Sequence, residues 1–126
     1  MQLRAATAGA LARGQALFNA GRFWEAHESW EAAWKAETGE PRLMLHGLIQ
    51  VAAGCHHVVV TGHHHGSVKL LTSGLDRLRS VPDGLGGLAL SRFLGDAART
   101  LQAAQEWEHG ERAAVDPALL PQLHWL

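Results

Sequence analysis

The sequence predicts an all-α fold, a compact multihelical bundle of about five helices around a central buried helix. Three observations lead there. The stretch from Arg42 to Val60 is apolar around almost its whole helical circumference, which marks a helix enclosed by others. Amphipathic repeats at helical spacing lie on both sides of it, and no segment shows convincing strand alternation. Glycine and proline fall at intervals suited to helix ends.

Residues 3–20 open the chain as an Ala-rich stretch with good helix propensity. Leu3, Ala10 and Leu17 are seven apart, as are Leu11 and Phe18, which gives one apolar face; Gly9 and Gly14 weaken the helix and Gly21 ends it. A second helix is expected from Arg22 to Glu37. Phe23, Ala26, Trp30, Ala33 and Trp34 lie on one side, Glu25 and Glu28 on the other, and His27 and Glu31 at the boundary. Thr38-Gly39-Glu40-Pro41 reads as a short turn whose proline opens the next helix.

The central helix, about 42–60, carries a thin polar stripe. At about 100° per residue, Arg42, His46, Gln50 and His57 fall within roughly a quarter turn of one another. Burying a polar group without a partner costs on the order of 1–3 kcal/mol, so this seam needs partners. A short turn makes consecutive helices antiparallel neighbours, which points to the acids of the second helix. Arg42 is therefore expected to pair with Glu25, Glu28 or Glu31, and Gln50 or His57 to touch the same cluster.

His63-His64-His65-Gly66 reads as a solvated loop able to pick up transition metals adventitiously. A fourth helix follows, with Val68, Leu71, Leu75 and Leu78 inward and Lys69, Asp76, Arg77 and Arg79 outward. Val81-Pro82-Asp83-Gly84 breaks it. A fifth helix is expected from about Ser91 to His109, with Leu94, Ala97, Leu101 and Ala104 inward and Phe93 and Trp107 flanking. In the tail, Asp116-Pro117 has the form of an N-cap and first helical position, and Leu119, Leu120, Leu123 and Trp125 are apolar anchors.

Composition narrows the function classes. A chain of 126 residues with 47% hydrophobic residues is expected to be a single helical domain, 1–126, and not disordered. The formal net charge is −1 and the basic residues are scattered, which argues against a nucleic-acid surface. The single Cys55 excludes an internal disulfide, fits a reducing cytoplasm and sits in an apolar run as a small hydrophobe. The N-terminus has no uninterrupted apolar stretch, so no signal peptide is expected. The central helix approaches membrane length, but Arg42, His46, Gln50, His56 and His57 interrupt it, so a soluble core helix and no membrane partner are expected.

The densest polar cluster is Glu25-Ala-His27-Glu28-Ser-Trp-Glu31. Its bland reading is the solvated side of an amphipathic helix. Its spacing is not that of the zincin His-Glu-x-x-His, nor the Glu-x-x-His of di-iron bundles. Its overlapping Glu-x-x-Glu pairs are similar to those of helical nucleotide pyrophosphohydrolases, which need a second acidic pair on a following helix; Arg42–Thr61 contains no acid. A divalent metal remains a candidate cofactor, with His27, Glu31 and His57 as its ligand set. Arg42 opposes it, because a guanidinium beside the acids repels a cation and offers an anchor for an anion instead.

The run Leu17-Phe18-Asn19-x-Gly21-x-Phe23-Trp24-Glu25-Ala26-His27-Glu28, with Trp30-Glu31 and Trp34, resembles the opening motif of domain-of-unknown-function family 309. Arg42, then Gly47-Leu48-Ile49-Gln50-Val51-Ala52-Ala53, His57, Gly62, Gly66 and Leu70-Leu71 resemble its second half. The resemblance covers about residues 14–80, leaving a further helix and tail over 81–126. It implies a small multihelical protein of bacteria and archaea with no established activity. It also implies that Glu25, His27, Glu28, Glu31, Arg42, Gln50 and His57 form one polar centre. This chain has His46 and His63 where the family pattern implies Gln and Asn. Gly21 to Ala33 is also similar to part of a tetratricopeptide repeat, but no second copy follows at the spacing of such arrays.

Three functions follow as expectations: a polar centre that binds a small ligand or metal; an interaction or scaffold module, with a purely structural seam and an aromatic patch of Trp24, Trp30 and Trp34 used for self-association or a partner; and a hydrolase built on the same centre. An open pocket lined by unpaired groups and reaching Glu28, Glu31 and His57 favours the first. A sealed, fully paired seam favours the second.

Overall fold

The computed structural model describes residues 3–126, and these form an all-α bundle. The long helices are α1 (Ala5–Asn19), α2 (Phe23–Trp34), α3 (Gly39–His56), α4 (His64–Leu78) and α5 (Leu90–Glu108). Among the described residues the one β-type contact is an isolated antiparallel bridge between Leu88 and Trp125. A single apolar cluster draws on every helix and on the tail through Leu123.

The helix ends follow local chemistry. Gly21 (φ 80°) lets the chain reverse between α1 and α2. The second helix stops three residues earlier than its sequence pattern, because Lys35–Thr38 must turn the chain back onto α3. Glu37 is part of that corner: its carboxylate is buried and accepts a hydrogen bond from the Thr7 hydroxyl at 2.6 Å. The third helix begins earlier than expected, so Pro41 sits inside its first turn, where no intrahelical N–H partner is lost.

The central helix is α3, with α2 and α4 packed against it. Met44, Leu45, Leu48, Val51, Ala52 and Cys55 are fully enclosed. Gly39–Thr61 is long and apolar enough by length and composition to cross a membrane, and the neighbouring helices are where its apolar circumference goes. Burial pushes the Cys55 thiol far above its usual range, so it behaves as a small hydrophobe.

Close approach of helices depends on glycine at two places. A Cβ on Gly14 would lie 2.0 Å from Trp30 Nε1, so α1 leaves room for the fully buried indole of α2. A Cβ on Gly74 would lie 2.8 Å from the Gly47 carbonyl oxygen, so α4 meets α3 backbone to backbone.

Three expectations need correction. His63-His64-His65 is not a loop: His63 is the N-cap of α4, its Nδ1 accepting a hydrogen bond from the Gly66 amide at 3.0 Å, and His64 and His65 are in the first turn. The inner face of α5 runs through Leu90, Phe93, Ala97, Thr100 and Ala104, while Leu94 and Leu101 are only half-buried. The tail anchors through Leu123 and not through Trp125, which is exposed. Asn19 fixes it, its Nδ2 donating to the Leu123 carbonyl and its Oδ1 accepting from the Leu123 amide, both at 2.8 Å. Asp116 does cap the short turn at Pro117–Leu119, accepting from the Ala118 amide.

Candidate functional site

The antiparallel pairing of α2 with α3 leaves an open groove along their seam. Trp34 sits at the C-terminal end of α2 and His46 about two turns into α3, their rings 5.3 Å apart. This pair is common to two adjoining clefts. One, of about 260 Å³, is completed by Gly39, Arg42 and Leu43. The other, of about 200 Å³, is completed by His27, Glu31 and Ile49.

Arg42 leaves the acids alone. Its guanidinium lies 4.4 Å over the Trp34 ring, and its Nη1 donates to the Glu37 carbonyl oxygen at 3.4 Å. Trp34 offers the nearest π face, and stacking there keeps the charge in contact with water. The expected pairing with Glu25, Glu28 or Glu31 is therefore corrected. Glu25 is held in a two-bond pair by Arg22. Glu28 is exposed and makes no ion pair among the described residues. Glu31 approaches His27, Nε2 to Oε2 at 3.5 Å.

The partner of the polar stripe comes from α4. Arg77 Nε donates to His46 Nδ1 at 3.1 Å, and its Nη1 donates to Gln50 Oε1 at 3.1 Å. The sequence pattern places Arg77 on the outer side of α4, but its long stem crosses the close α3–α4 contact and returns the guanidinium to the seam. The signal that would have found it is the facing pair Gly47 and Gly74, which brings the two backbones together.

That contact sets the chemistry of His46. A guanidinium has no lone pair to accept with, so Nδ1 must be the unprotonated nitrogen and the neutral ring carries its proton on Nε2. Burial, then the charges of Arg77 and Arg42, hold its pKa below the usual histidine value. His46 is thus a neutral ring with a fixed N–H donor.

His57 is not in the groove. It stands at the head of a π turn over His57–Thr61, and its side chain is engaged by that turn. Its Nδ1 lies 2.7 Å from Thr61 Oγ1, and its ring neighbours are His56 and His63. Its pKa is lowered by burial, then by His63 and His56.

The seven residues expected in one polar centre therefore separate. His27 and Glu31 share a cleft; Arg42 occupies the neighbouring one; Gln50 joins Arg77; His57, Glu25 and Glu28 are elsewhere. The ligand set His27, Glu31 and His57 is not assembled, and among the described residues no group of three or more His, Cys, Asp or Glu side chains is placed to hold a metal ion. The tryptophans do not form one patch either: Trp30 is core, Trp34 lines the groove, and Trp24 is exposed with its ring stacked on His27 at 4.5 Å.

Compared with known families, residues 11–70 match the model of Domain of unknown function (DUF309). Residues 11–70 belong to DUF309. None of the curated proteins matches the chain. The DUF309 segment holds α1 from Leu11, α2, α3 and the first half of α4, so it includes both walls of the groove. Arg77, which sets the His46 proton, lies beyond it.

Proposed function

We propose that this DUF309 protein binds a small polar ligand bearing an anionic group in the α2–α3 groove. One observation carries the reading. Among the described residues, two buried side-chain polar atoms have no hydrogen-bond partner, His27 Nδ1 and Trp34 Nε1, and both residues line the same cleft. Buried polar atoms are paired in the great majority of cases, and orphaned ones concentrated in a cleft fit a site that something else completes. The sign of the ligand follows from the donors around it. Arg42 and Arg77 make no ion pair among the described residues, and His46 is a neutral N–H donor between them. A divalent metal is disfavoured by those same charges. A cytoplasmic location, inferred from the lone buried cysteine, belongs to this reading.

Calorimetric titration with pentanoate and with inorganic phosphate at low ionic strength tests it. Small ligands in a shallow groove are expected to bind at roughly millimolar Kd. Saturable heat that disappears in Arg42→Met supports the site. The same heat in the variant overturns it, as does the absence of saturable heat with these anions and with the doubly charged 4-aminobutanoate alike.

The competing reading is an interaction module. It is favoured by Trp24, which is 48% exposed, and by the exposed Val59 and Val60. Concentration-dependent self-association lost in Trp24→Ala, with no ligand heat, would select it. A hydrolase needs a placed nucleophile as well as an acid–base pair, and His27–Glu31 supplies only the pair.

A further inference from the structure

The two clefts differ in sign. Around Arg42 and the His46 Nε2–H the groove offers donors and positive charge. Around Glu31 it offers a carboxylate, with apolar Ile49 beside it. Trp34 and His46 are shared, so a single occupant lying along the groove meets both ends.

Glu31 keeps accepting capacity. Its contact with His27, at 3.5 Å, is longer than a good hydrogen bond, and an ionised carboxylate has about four lone-pair sites. It is also partly solvent-exposed, so an incoming group can reach it.

We infer that the occupant is a short zwitterion, an amino acid-like molecule whose carboxylate meets Arg42 and His46 and whose ammonium meets Glu31. This rests on the reading of the groove as a ligand site. The spacing of the two ends follows from the helix. Arg42 lies over the Trp34 ring, and Glu31 precedes Trp34 by three residues on α2, which offsets their Cα atoms by about 4.5 Å along the axis at 1.5 Å per residue. A separation of about one turn fits an amine and a carboxylate with a few carbons between them better than an α-amino acid, whose charged groups share one carbon.

A simple anion satisfies only one end and is repelled by Glu31. A simple amine is repelled by Arg42. Discrimination against either is therefore built from a repulsive contact as well as an attractive one.

The experiment compares 4-aminobutanoate with pentanoate, which replaces the ammonium by a methyl group at the same chain length. Both are titrated into wild-type, Glu31→Gln and Arg42→Met protein at low salt, with helical content and thermal melts confirming that each variant is folded. Wild type is expected to bind 4-aminobutanoate about tenfold or more tighter than pentanoate, the scale of one charge-assisted hydrogen bond. Glu31→Gln is expected to move the two in opposite directions, weakening 4-aminobutanoate and strengthening pentanoate. Arg42→Met is expected to abolish both. If pentanoate binds as tightly as 4-aminobutanoate in wild type and Arg42→Met abolishes it, the groove is a plain anion site: the zwitterion is wrong and the ligand site stands. If neither ligand gives saturable binding, both readings fall.

Discussion

Arg77 Nε donates to His46 Nδ1 at 3.1 Å, across the contact between α4 and α3. This bond couples a residue outside the matched DUF309 segment to the groove within it. It fixes the tautomer of His46 and helps keep the ring neutral. Arg77→Met is expected to raise the His46 protonation midpoint toward the ordinary histidine value, because the nearest positive charge is removed while burial remains. Side-chain nitrogen NMR over pH 5–8 reads both properties. An unchanged midpoint and an unchanged Nε2–H signal would show that Arg77 does not control the ring.

The α1–α2 contact makes a sharp steric prediction. Gly14→Ala places a methyl group inside the Trp30 indole, so it is expected to cost at least about 1–3 kcal/mol as an overpacked core site. Gly95→Ala is the control. It meets nothing within 4 Å in mid-α5 and is expected to stabilise by up to about 1 kcal/mol through helix propensity. Urea unfolding of the two variants separates these outcomes, and equal midpoints would refute the packing described.

Stability should depend on pH with a definite sign. His46 and His57 both have lowered folded-state pKa values, so the unfolded chain takes up protons first as pH falls. Their contribution is full above the ordinary histidine value of 6.5 and is lost as pH drops from there toward the folded values. The groups that face His57 are His56, His63 and Thr61; at the same junction His65 pairs with Glu108 and His64 packs against Trp107. Denaturation midpoints are expected to fall between pH 7.5 and 5.5, and less steeply in a His57→Asn variant. A midpoint that rises on acidification would contradict the assignment.

The tail is predicted to be sensitive to Asn19, the side chain that both donates to and accepts from it. Asn19→Ala removes the acceptor of the Leu123 amide and one of two donors to its carbonyl, Gln15 Nε2 being the other at 2.7 Å, so the amide is left unpaired at a cost of about 1–3 kcal/mol. Amide exchange should accelerate at residues 119–126 more than in α3. Uniform acceleration would mean that the tail and the bundle open together.

Much of the fold was legible because it rests on periodicity. The apolar circumference of 42–60 identified α3, and Gly21 and Asp116-Pro117 marked ends that the structure keeps. The site was legible only in part. His27, Glu31, Arg42 and His46 do line one groove, but their partners follow from packing that a linear pattern does not encode. Arg42 chose an aromatic face over a carboxylate, Arg77 reached back from the outer side of its helix, and His57 is engaged by Thr61 and His63 at the far end of α3. Nothing in the spacing of Trp34 announced that its indole N–H would be buried without a partner.

The most direct test of the central claim is a side-chain NMR titration with 4-aminobutanoate, following the His46 Nε2–H, Trp34 Nε1–H and His27 ring signals. Saturable shifts at these three, with His63, His64 and His65 unmoved, are the expected result. Absent shifts, or shifts confined to the exposed histidines, would contradict a ligand site between α2 and α3.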